Sequence, residues 1–139
     1  MSTLPILSRL MQGVGSDVQR YRELVRLLEA QFQAVLRHDA DALTELARSV
    51  TELVATLDAT RRERVAGVHE LLGKKGTMTG VIALLDGTRR EALAAGWQTL
   101  EALVRDSKRL NTRNCQVLMD QHVLMQRVLH GEVATYAPA

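Results

Sequence analysis

The chain has 139 residues, is 46% hydrophobic but only 3% aromatic, and carries a net charge of +2 from 18 basic and 16 acidic residues. That length fits one domain (1–139) with a core needing neither disulfide nor metal, and the lone Cys115 excludes an internal disulfide or a cysteine metal cluster. The near-balanced charge, with no basic face interleaved with aromatics, argues against nucleic acid as a partner.

The abundant Leu, Ala, Arg, Glu and Gln favour helix, and the prolines, Pro5 and Pro138, lie near the ends. The fold class expected is all-α: an antiparallel bundle of three long helices with short additional helical segments. Residues 1–15 read as a lead-in, where Leu4, Ile6, Leu7, Leu10 and Met11 form a turn or two before Gly13 and Gly15 break it. This stretch lacks a basic leader and a cleavage site, which fits a cytoplasmic location. Ser16 or Asp17 then caps a first helix over 17–38, with Tyr21, Leu24, Val25, Leu28, Phe32, Val35 and Leu36 on one stripe.

Asp39 or Asp41 caps the second helix, 41–72, whose Leu43, Leu46, Val50, Leu53 and Leu57 form a heptad seam. The seam meets Thr60 and the run Arg61-Arg62-Glu63-Arg64, read as a solvated face, and resumes one residue out of step at Val65, Val68 and Leu72. Gly73 is the expected C-cap. After the loop 73–80, Val81 to Leu85 suggest a short helix over the end of the bundle. That run, the longest apolar one, is far too short to span a bilayer, so no membrane insertion is expected. The last helix, 88–130, carries Leu93, Trp97, Leu100, Val104, Ser107, Asn111, Asn114, Leu118, Gln121, Met125 and Val128 on one seam, and residues 132–139 form a flexible tail.

Helix lengths point to an exposed end. At 1.5 Å per residue, residues 17–38 span roughly 33 Å, 41–72 roughly 48 Å and 88–130 roughly 64 Å. The last helix, running back toward Asp39, overshoots by about ten residues. That overhang, 121–130, carries Leu124, Met125, Val128 and Leu129, apolar residues without an internal partner. Ser107, Asn111, Asn114 and Gln121 turn the seam polar, which predicts a last third less stable than the rest. Asn111 and Asn114, three apart, share a face and read equally as register-setting amides or as partner contacts.

Other signals point to no enzyme and no cofactor. His38, His69, His122 and His130 lack the setting of a phosphotransfer histidine, and no Glu-x-x-His pairs suggest a diiron bundle. Gly73-Lys74-Lys75-Gly76-Thr77 has neither the spacing nor the preceding strand of a phosphate loop. Cys115 reads as a semi-buried small residue. No acid–base pair, nucleophile–base pair or metal constellation is present.

Leu110-Asn111-Thr112-Arg113-Asn114 within a long amphipathic helix, Leu129-His130-Gly131 at its end and Tyr136 beyond it resemble the FlgN family of flagellar type III export chaperones. Asp39-x-Asp41-Ala42-Leu43, Arg64 and Leu71-Leu72-Gly73 follow the same pattern more loosely, over roughly residues 17–136. The chain departs from it at Cys115 and in the Tyr136-Ala137-Pro138-Ala139 tail, where the family usually has Gly. The resemblance implies a cytoplasmic chaperone that binds the C-terminal helices of hook–filament junction proteins, prevents their premature assembly and delivers them to the export gate. Carried over by position, the partner contacts are Asn111, Asn114, Val117, Leu118, Gln121, Leu124, Met125 and Val128, with Tyr136 a candidate for docking to the gate. The alternative is a structural coiled-coil or adaptor protein that self-associates or bridges partners, and a homodimer through the last helix stays open.

Overall fold

The computed structural model describes the backbone of residues 3–136 and the side chains through Gly131. It contains four helices: α1 (Thr3–Leu36), α2 (Ala40–Leu72), α3 (Met78–Ala83) and α4 (Gly87–Tyr136).

The first departure from expectation is at the N-terminus. The lead-in and the first helix are one element, continuous through Gly13 and Gly15. Two glycines inside a helix cost about 1 kcal/mol each. Against that, Ile6, Leu7, Leu10 and Val14 are all buried. Each such burial contributes about 1.5–3 kcal/mol, so packing outweighs propensity. Asp17 is accordingly mid-helix and not a cap.

Local signals set the other boundaries. α1 ends where His38 adopts a left-handed φ of 56°. The His38 amide then donates to Val35 O and the Asp39 amide to Ala34 O, the paired bonds of a Schellman closure. Asp39, not Asp41, caps α2, its carboxylate accepting from the Ala42 amide at 3.1 Å. Gly73, at φ 84°, closes α2 with its amide on His69 O at 2.8 Å. Thr77 caps α3, accepting from the Gly80 amide. α3 starts earlier than its apolar run suggested and buries Met78 and Val81.

α1 is the central helix and packs on both α2 and α4, while α2 and α4 have at most a glancing backbone approach to each other. Contacts from α1 descend α2 as they climb α1: Leu10 faces Gly67, and Asp17 faces Thr60. These two helices are antiparallel. Val14 faces Gly96 and Leu28 faces Asn114, so α1 and α4 run parallel. The three long helices therefore do not close evenly on one another. Near the α2–α3 turn, Ile6, Leu10, Val14, Val68, Met78, Val81, Leu93 and Leu100 form one core. Farther along, a smaller cluster joins Leu24 and Leu28 to Leu57 and Leu110.

A buried polar network ties the first core together. Asp17 is 1% exposed and accepts from Arg64 at 2.7 Å, Arg20 at 3.0 Å and Thr60 at 2.9 Å. The Arg64 guanidinium also lies 5.5 Å from the centroid of the Trp97 ring, reaching α4. Arg64 is thus no member of a solvated face, although Arg61 and Arg62 are, both paired with Asp58.

Candidate partner-binding site

α4 has 50 residues against 34 in α1, about 75 Å against 51 Å by helical rise. Because the two run parallel, the excess emerges beyond the C-terminal end of α1. Among the described residues, the farthest side-chain hydrogen bond from α4 to α1 is that of Gln121, whose side-chain amide donates to Val35 O at 3.2 Å. Every described residue from His122 to Gly131 is exposed. Helix α4 continues to Tyr136, so at least the first part of the expected tail is helical. The Tyr136 side chain, and residues 137–139 altogether, lie outside the described residues.

The residues singled out from the sequence fall into two groups. Asn114 is fully buried, and its amide donates to Leu28 O at 2.8 Å and to Gln31 at 2.9 Å. With Gln121 and the half-buried Val117 it faces α1. Arg113 supports this seam by stacking 3.7 Å from the Phe32 ring centroid and pairing with Glu29. Of the polar seam, Asn114 and Gln121 therefore fasten α4 to α1. The second group faces solvent: Asn111, Leu118, Leu124, Met125 and Val128. Met125 is 58% exposed and Leu124 60%. Leu129, expected in the overhang, is exposed as well; Met119 and Val123 are exposed too and escaped the sequence reading, because the helix there is apolar on several sides at once. Cys115, expected to be semi-buried, is exposed.

A second surface was not legible in the sequence. Where α2 and α4 diverge, an open cleft of about 230 Å³ is lined by Tyr21, Leu24 and Leu28 of α1, Val50 and Val54 of α2, and Val104, Ser107, Lys108 and Asn111 of α4. Its floor is apolar. Burial raises the Tyr21 phenol above its ordinary value of 10.0, reinforced by Asp17 and opposed by Arg64 and Arg61. Ser107 Oγ is buried with no hydrogen-bond partner among the described residues.

Among the described residues, no group of His, Cys, Asp or Glu side chains gathers to hold a metal, and no helix is long and apolar enough to cross a membrane. The surface offers an apolar helix end and an apolar cleft, which suit the binding of another helix.

Comparison with known families gives a match to the FlgN protein family over residues 1–130. A search of curated proteins and of solved structures found no match. The match covers all but the last nine residues, including the exposed stretch of α4 from His122 to His130, and the chain belongs to the FlgN family of flagellar export chaperones.

Proposed function

We propose that this chain is a cytoplasmic chaperone that binds the C-terminal helices of hook–filament junction proteins, keeps them from assembling early and delivers them to the export gate. The observation that carries this reading is the α4 end: a helix that leaves its support at Gln121 while still presenting Leu124, Met125, Val128 and Leu129 to solvent. Uncovered apolar side chains in a row are an incomplete interface. Methionine among them lets the surface adapt to two cargo helices of different sequence. Asn111 and Leu118 extend the contact, while Asn114, Val117 and Gln121 hold the helix in place for it. Tyr136, farther along α4, is assigned to the gate. The reading needs no reaction and no cofactor.

The test is calorimetric titration of the full chain with peptides of the C-terminal helices of the co-encoded hook–filament junction proteins, beside a chain cut after Asp120. Micromolar or tighter binding, lost on truncation, is the expected result. The exposed end also fits self-association in a structural coiled coil. Absence of binding, with light scattering showing a dimer that truncation makes monomeric, would favour that second reading instead.

A further inference from the structure

The cleft and the free end of α4 lie on one stripe. Val104, Lys108, Asn111, Cys115, Leu118, His122, Met125 and Leu129 follow one another at alternating steps of four and three. Such a period of 3.5 keeps a stripe on one side of a helix that winds around a partner helix. It runs from the cleft wall to the exposed end, about 38 Å by helical rise. Alongside its first part, α2 contributes Val54, 46% exposed, and the half-buried Val50.

Two features of the cleft ask for a guest. Ser107 is only 6% exposed, and its hydroxyl has no hydrogen-bond partner among the described residues. A buried hydroxyl without a hydrogen bond is a standing cost that a guest donor or acceptor would remove. Lys108 stands exposed on the rim and pairs with no carboxylate among the described residues, whereas nearby Arg109 and Arg113 pair with Asp106 and Glu29.

We infer that the cargo site is longer than the free end of α4: one amphipathic cargo helix lies along the whole stripe, its first turns seated between Val54 of α2 and Ser107 of α4, with a carboxylate against Lys108. This rests on the chaperone reading above and adds α2 to the binding surface. The guest is a helix because the site is a trough between two helices with a helical period, and no strand edge exists among the described residues to pair with an extended peptide. Its apolar face answers the floor formed by Leu24, Leu28 and Val104. Its acid answers Lys108 on the rim, which pairs with no carboxylate among the described residues.

The test uses the full chain and the same cargo-helix peptides, with Val54→Glu and Lys108→Glu as variants and Glu52→Lys, on the outer side of α2, as control. Val54→Glu should weaken binding about tenfold or more, since it places a carboxylate on an apolar contact. Lys108→Glu should weaken it about fivefold at low salt and less at high salt. Glu52→Lys should leave it unchanged. Unchanged affinity in Val54→Glu, while truncation after Asp120 abolishes binding, would overturn the inference and leave the free end alone as the site. If Val54→Glu melts well below the intact chain, Lys108→Glu decides, and unchanged affinity there overturns it. Loss of self-association in Val54→Glu without loss of cargo affinity would assign the cleft to a second copy, also against the inference. No binding by the intact chain would remove the inference together with the chaperone reading.

Discussion

Asp17 shows how a charged residue can belong to a core. Its carboxylate has a partner on α1, two on α2 and, through Arg64, a link to Trp97 on α4. Removing one member of such a group leaves a charge without compensation in a poorly hydrated place. Asp17→Ala should therefore destabilise the chain by about 3 kcal/mol, seen as a lower urea midpoint with little change in slope. A loss near zero would show that Arg64 and Arg20 find water instead. Tyr21, on the floor of the cleft, makes a second prediction. Its folded value lies above 10.0. The stability linked to its neutral phenol is thus fully present below the unfolded value and is lost as pH rises through the folded one. Since Tyr136 is the other tyrosine, alkaline titration of the phenolate band in Tyr136→Phe should report Tyr21 alone, with a midpoint above 10.0. A midpoint at or below it would show a wet cleft.

At the scale of elements, α1 is held by packing where its sequence argues for a break. Gly13 has open space around its Cα, so an added methyl meets nothing within 4 Å. Gly13→Ala should raise stability by about 0.5–1 kcal/mol through lower unfolded-state entropy and better helix propensity, measured as a higher melting temperature. A decrease would mean that α1 needs to bend there. Gly67 differs, because its added methyl would lie 3.2 Å from Leu10 Cδ2 and press into the core. α4 has the opposite character. Its Asn114 and Gln121 amides bond to backbone carbonyls of α1, so these two polar seam positions act as fasteners.

For the whole molecule, support ends where α1 ends. Hydrogen exchange should show fast opening in residues 122–130 and strong protection around Leu24, Leu28, Leu57 and Leu110, the second core cluster. The step in protection should fall just after Gln121, with residues 107–114 on the protected side. Equal protection on both sides of Gln121 would mean that the end of α4 is covered in the free protein, by a second copy or by refolding. Either outcome bears on function, because a free helix end is ready for a partner and a covered one must first be released.

The sequence by itself determined the all-helical class, the boundary at Asp39, the close at Gly73 and the existence of an unsupported end on the last helix. These are local matters of capping and periodicity, or simple differences in length. It misjudged residues 1–15, because the helical cost of Gly13 and Gly15 is local, while the burial of Ile6, Leu7, Leu10 and Val14 that outweighs it depends on α2, α3 and α4. Asp17 and Arg64 looked like a cap and a solvated charge, since nothing in a linear pattern joins positions 47 residues apart. Asn111 and Asn114 shared a helical face in the sequence, and only packing against α1 separated the exposed amide from the buried one. The cleft between Val54 and Ser107 was likewise invisible, because it exists only where two helices, both packed on α1, have at most a glancing backbone approach to each other.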